Sequence, residues 1–129
     1  MGAKTTNCPC GGADYAQCCG RYLESNEAAP DAERLMRSRY SAYVLGKDVY
    51  LQQTWHASTR PTGSLTDSTT KWLGLEVRNH HQQGDEAQVE FVARYKVGGR
   101  AHRLHERSRF VREEGKWYYV DGSFPEGKA

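Results

Sequence analysis

The stretch Ala87-Gln88-Val89-Glu90-Phe91-Val92-Ala93-Arg94-Tyr95-Lys96-Val97-Gly98-Gly99-Arg100 decides the fold. Ala87, Val89, Phe91, Ala93 and Tyr95 fall on every second position, the period of a strand with one buried face. Gly98-Gly99 then supplies two residues that accept positive φ, the signature of a two-residue hairpin. Residues 100–112 run back, and the tight turn sets the register by counting. Phe91 faces Glu106, Val89 faces Ser108 and Ala87 faces Phe110. On the other side of the sheet Glu90 meets Arg107, a favourable pair, and Arg94 meets Arg103, an unfavourable one.

Working outward, Glu114-Gly115 reads as a second two-residue turn, which brings Ser108 near Asp121 and Phe110 near Tyr119. Upstream, Leu73, Leu75 and Val77 alternate, and Gly84-Asp85 turns the chain into the central hairpin. The result is a four-stranded antiparallel meander. Its inner face is aromatic and aliphatic, interrupted by Glu106, Ser108 and Asp121. A bulge at either turn would reverse the faces.

Before the sheet the period is helical. Asp31 caps a helix whose apolar stripe is Met36, Tyr40, Tyr43 and Val44, with Arg34, Arg37 and Ser41 on the far side and Arg39 bordering the stripe. Gly46 ends it, and Asp48 is read as the cap of a second helix reaching about Trp55. Eight of the 14 residues at positions 57–70 are Ser or Thr, which predicts a loop with one helical turn near Ser64 to Ser68. Residues 1–6 are read as a mobile leader.

All four cysteines lie within twelve residues, Cys8-Pro9-Cys10 and Cys18-Cys19, separated by seven others. Such a cluster predicts one tetrahedral metal site, and zinc suits four thiolates best because it then needs no further ligand. A redox dithiol and an iron–sulfur cluster are the competing readings; the latter usually spreads its cysteines further. The region holds three glycines and few aliphatic residues, so metal binding would have to supply its folding energy. The formal charge of +2 vanishes once four thiolates hold a divalent cation, which removes any bulk-charge argument for nucleic acid. No apolar run approaches the roughly 18 residues of a membrane span, and no secretory signal is evident. A reducing, cytoplasmic setting is therefore expected.

Cys8-Pro9-Cys10-Gly11, then Tyr15, then Cys18-Cys19-Gly20 resembles the SEC-C zinc motif, best known from the SecA translocase motor. The resemblance implies that Cys8, Cys10, Cys18 and Cys19 are the ligands. The spacer here is seven residues where eight is usual, and Gly11-Gly12-Ala13-Asp14 replaces a run ending in two lysines. The remainder resembles the YchJ family of small bacterial proteins. The matching blocks are Ala29-Pro30-Asp31, Leu35-Met36-Arg37-Ser38-Arg39-Tyr40, Trp55-His56, Trp72-Leu73-Gly74-Leu75, Phe91-Val92-Ala93-Arg94, Glu106-Arg107-Ser108-Arg109-Phe110 and Trp117-Tyr118-Tyr119 with Asp121-Gly122. That resemblance implies an α+β fold of the nuclear transport factor 2-like type, a cone of helices on a curved antiparallel sheet. It brings no reaction with it. The expected division is a knuckle and connector at 1–27 and the cone at 28–129.

Glu106 is the notable residue outside the cysteines. A carboxylate facing Phe91 inside a cone must be protonated or paired. Its first reading is a structural ion pair with Arg39 or Arg37; its second is a general acid or base, with Asp121 and His56 as further catalytic candidates. Arg39, Tyr40, Trp55, Phe91 and Ser108 are the expected pocket residues. Two functions follow: an adaptor that meets a protein partner through the zinc knuckle, or a small-molecule-binding or hydrolytic protein using the cone.

Overall fold

The computed structural model describes residues 7–12 and 14–124, so the leader read at residues 1–6 lies outside it. A 3-10 turn at Tyr15–Gln17 leads into a short helix α1, Gly20–Leu23. Two further helices follow, α2 at Ala32–Leu45 and α3 at Asp48–Gln53. The strands are β1 (Thr70–Gln83), β2 (Glu86–Val97), β3 (Arg100–Glu113) and β4 (Lys116–Ser123), in one antiparallel sheet of order β1-β2-β3-β4. The central hairpin keeps a single register over its whole length, with Phe91 opposite Glu106 and Arg94 opposite Arg103. No helix among the described residues is long and apolar enough to cross a membrane.

α2 forms where its caps put it. The Asp31 carboxylate accepts from Arg34 N at 2.8 Å, and Gly46 closes the helix in the left-handed region at φ 73°. One face of α2, with Met36 and Tyr40, packs on the sheet. The opposite face is covered too. Ser41, expected to face outward, is fully buried, with its hydroxyl 3.6 Å from Cys8 Sγ. Arg37 reaches the Cys10 carbonyl at 3.3 Å. Helical periodicity identifies the sheet-facing stripe and has no means of showing that a second layer lies behind it.

Three bulges reshape the sheet. In β1 the register slips between Trp72 and Gly74 and again between Val77 and Asn79, which turns Leu73 outward. Trp72, Leu75 and Val77 form the inward row instead, packed against the buried core. In β4 the slip lies opposite Arg109 and Phe110, so Phe110 pairs with Tyr119 as counted while Arg109 pairs with Asp121 and Ser108 with Gly122. Bulges bend a strand and increase its twist, which wraps the sheet around α2.

Two smaller expectations change. Lys47, not Asp48, is the cap of α3. The Asp48 carboxylate instead ties down the following loop, accepting from Leu65 N at 2.7 Å, Thr66 N at 3.1 Å, Ser64 Oγ at 2.9 Å and Thr66 Oγ1 at 3.0 Å. Those bonds hold the loop open, and no helical turn forms at positions 64–68.

Candidate functional site

The cysteine knuckle is built by its glycines. Cys8 N donates to the Gly12 carbonyl at 2.9 Å and Gly11 N to the Cys8 carbonyl at 3.0 Å, a tight loop that needs Gly11 at φ 106°. At Gly12 a Cβ would lie 2.7 Å from Cys18 Sγ, so the second cysteine pair closes directly over that residue. Gly20 is needed for the same reason, since the Tyr15 ring and carbonyl lie against it. The four sulfurs lie within 4.8 Å of one another, and all four cysteines are free thiols. Cys8, Cys10 and Cys19 are buried and join the same core as α2 and the sheet. A hydrogen bond from Cys19, opposed by burial, pulls the Cys10 thiol down to about 5. Burial pushes Cys18 up to about 11, and the hydrogen bond to Cys10 pushes Cys19 up. Thiols must lose their protons to bind a cation, so metal binding here would release them. These residues can hold a metal ion.

On the other side of α2 lies a cavity of about 250 Å³. Arg39, Tyr40, Trp55, Phe91, Glu106 and Ser108 line it, together with Met36, Tyr43, Trp72, Ala93, Leu104, Phe110 and Tyr119. Glu106 is nearly buried, 9% exposed, and its Oε2 accepts from Ser108 Oγ at 2.7 Å and Tyr119 OH at 3.1 Å. Its Oε1 takes no hydrogen bond from any described residue and is not sealed inside protein. Gly122, brought opposite Ser108 by the β4 bulge, makes room for the carboxylate: a Cβ there would overlap Glu106 Oε2.

Arg39 does not pair with Glu106. Its Nη1 donates to the Leu51 carbonyl at 2.9 Å and Thr54 Oγ1 at 2.7 Å, and its guanidinium carbon sits 5.0 Å from the Trp55 ring centre and 4.7 Å from that of Tyr119. Burial draws the Arg39 charge down from its ordinary range, with nearby tyrosines and Glu106 pulling the other way. Burial likewise raises the hydroxyls of Tyr43 and Tyr119, Glu106 adding to the effect on Tyr119. Arg37 is on the knuckle side, bonded to Glu33 at 3.1 Å. The expected ion pair is absent because α2 points its two arginines to other partners.

The family model described as "YchJ, middle NTF2-like domain" matches residues 31–122. The chain belongs to the YchJ family. A UPF0225 protein of Cupriavidus pinatubonensis is 59% identical over 128 residues, covering 93% of this chain and 90% of its own. Another, from Methylibium petroleiphilum, is 60% identical and covers 89% and 86%. The solution structure of a SEC-C motif containing protein from Rhodopseudomonas palustris superposes with a TM-score of 0.82 at 35% identity, covering 92% of this chain and 98% of that one. The crystal structure of a SEC-C motif containing protein from Psychrobacter arcticus gives 0.76 at 30% identity, covering 96% and 85%. The α+β architecture is thus shared with SEC-C proteins of known structure.

Within this YchJ domain two expected site residues fall elsewhere. Asp121 is turned to the outer face by the β4 bulge and pairs with Arg109 at 2.7 Å and 2.8 Å. His56 sits beyond the β4 edge, where Trp55 makes a parallel bridge with Tyr119 and His56 N donates to the Tyr119 carbonyl at 2.7 Å. Its ring contacts Glu113 Oε2 at 2.8 Å and Ser58 Oγ at 2.7 Å, away from the cavity. On the outer face of this YchJ sheet Glu90 meets both His105, at 2.7 Å, and Arg107, at 3.6 Å. Tyr43 and Tyr119 were missed as site residues, although the α2 stripe and the Phe110–Tyr119 pairing both pointed inward. Gly122 carried no signal, because its role depends on the bulge.

Proposed function

We propose that this protein is a small-molecule-binding protein whose ligand occupies the cavity between α2 and the sheet, with a structural zinc ion bracing the other side of α2. The observation that carries the reading is the cavity itself: about 250 Å³, with Glu106 on its wall and Oε1 of that residue taking no hydrogen bond from the described residues. Concave, largely apolar sites with one or two placed polar groups are where small ligands bind. Glu106 stands alone there as a catalytic candidate, with Asp121 and His56 both outside the cavity, so binding is better supported than hydrolysis.

Zinc fits the cysteines. A tetrahedron with Zn–S bonds of about 2.3 Å has sulfur–sulfur edges of about 3.8 Å, and the four Sγ atoms already lie within 4.8 Å. With all four ligands from protein, no position is left for chemistry; the ion would fix Cys8, Cys10, Cys18 and Cys19 against α2 and nothing more. Ligand-observed NMR with a panel of one- and two-ring aromatic compounds tests the binding reading. Some members bind the native protein, and Ala93→Val, which narrows the cavity, weakens them. A panel in which nothing binds removes the proposal.

A protein partner at the knuckle is the second reading. It is supported by a polar cleft of about 400 Å³ where the knuckle meets α2, lined by Arg21, Arg34 and Arg37 among others. Each arginine already pairs with an acid, Arg21 with Glu27, Arg34 with Asp31 and Arg37 with Glu33, so a polar partner segment of mixed charge would suit it. Arg34→Glu abolishing capture of such a partner would support this reading; capture unaffected by Cys18→Ser would refute it.

A further inference from the structure

We propose that the cavity selects an uncharged, flat, one- or two-ring molecule whose N–H or O–H donates to Glu106 Oε1. This rests on the small-molecule reading above and states what the site distinguishes.

Size sets the first limit. A dry apolar cavity of about 150 Å³ admits benzene, and drug-sized ligands occupy roughly 300–1,000 Å³. At about 250 Å³ the space fits one ring or two fused rings and little more. Shape sets the second. Tyr40, Tyr43, Trp72 and Phe91 line the cavity, and flat apolar molecules pack on aromatic walls by stacked or edge contacts.

The polar group sets the third. Ser108 and Tyr119 both direct their hydroxyl protons to Oε2, which defines the carboxylate as an acceptor and leaves Oε1 as its open end. A ligand that displaces solvent from that oxygen keeps it satisfied only by supplying a donor of its own. An occupant with an N–H or an O–H at that point is therefore favoured. Gly122 leaves room for this pose, since any side chain there would displace Oε2.

Charge sets the last. The Arg39 guanidinium lines the same cavity and has no carboxylate within ion-pair distance among the described residues; its donors go to Leu51 and Thr54. Arg39 thus brings a basic side chain and Glu106 an acidic one to the same space. An added anion or cation leaves a net charge in a largely apolar cavity, which is costly. An uncharged donor leaves the balance intact.

The test is calorimetric titration of the full, metal-loaded chain at neutral pH with three probes of similar size. These are indole, 1-methylindole, which lacks the donor, and the 1,2,3,4-tetrahydroisoquinolinium cation. Indole binds about tenfold more tightly than 1-methylindole, as loss of a hydrogen bond to a charged acceptor requires, and the cation binds most weakly. In Glu106→Gln the preference for indole disappears. Equal binding of the two indoles overturns the donor inference while leaving the cavity reading intact. A cation that binds as well as indole overturns the charge inference in the same way. Failure of all three probes removes the cavity reading with it. The comparison is made on the unaltered protein, so it decides the matter even where Glu106→Gln does not fold.

Discussion

The two faces of α2 are finished in opposite ways. Toward the knuckle the buried polar side chains of α2 are partnered: Ser38 Oγ bonds to the Leu35 carbonyl at 2.7 Å and to Tyr50 OH at 2.6 Å, Ser41 meets Cys8, and Arg37 reaches the Cys10 carbonyl. Toward the sheet the same helix leaves a cavity where, among the described residues, one carboxylate oxygen has no donor and a guanidinium no counter-ion. Interiors are otherwise close-packed, and voids lined by large side chains lower stability. On the reading proposed above, the two faces of the helix have separate tasks: the closed face would supply rigidity and the open one would take a ligand.

The largest test of that contrast is removal of the metal. Cys10 and Cys19 are each 1% exposed and belong to the core that also contains Leu35, Val89 and Phe110. Cys19→Ser, or a chelator, should therefore destabilise the whole domain and not only the knuckle. A loss of about 4 kcal/mol corresponds to a drop of roughly 15 °C in the midpoint for a chain of this size. Circular dichroism of the sheet during thermal unfolding measures it. An unchanged sheet midpoint would make the knuckle an appendage and dissolve the contrast.

Next in size is Gly122→Ala. The new methyl group would overlap Glu106 Oε2, and both strand backbone and carboxylate are held by neighbours. Overpacking of this kind costs about 1–3 kcal/mol. Unlike the cysteine variant, it should keep its metal content and lose indole binding. Zinc analysis and calorimetry on the same sample separate the two faces.

Ala93→Val works in the other direction. Ala93 is buried on the cavity wall, and filling space there should raise stability by about 0.5–1 kcal/mol. If the space serves a ligand, that gain comes with weaker ring binding. A gain in stability with no change in binding would show that the cavity is a packing defect.

What could be read from the chain, and what could not, follows the same physics. α2 was legible because its caps and stripe are local: Asp31, Gly46 and Tyr40 do in the structure what their spacing says. The central hairpin was legible because a two-residue turn leaves no freedom in register, and it placed Glu106 and Ser108 correctly opposite Phe91 and Val89. Bulges have no comparable signal. The slip at the end of β4 moved Asp121 outward and put Gly122 in its place, and the one beside Leu73 exchanged it for Trp72. Partner choice was equally hidden: nothing local to Arg39 foretells that it bonds to Leu51 and Thr54 while Glu106 goes to two hydroxyls.

The smallest effect expected is at Asp48, which belongs to neither face and so serves as a control. Hydrogen bonds from the amide of Leu65, then from Ser64 and Thr66, hold its carboxyl below the ordinary aspartate range. A group whose folded value is lowered contributes stability above its unfolded pKa and loses it as pH falls through the folded one. The loop should therefore be tied at neutral pH and released only in acid, below the usual titration of an aspartate. Amide hydrogen exchange at Leu65 and Thr66 reads this directly. Asp48→Asn should weaken protection there several-fold at neutral pH and abolish its acid dependence, while metal content and indole affinity stay where they were. If either moves with it, the loop is coupled to one of the faces of α2, and the division between a braced side and a binding side has to include the chain that joins α3 to β1.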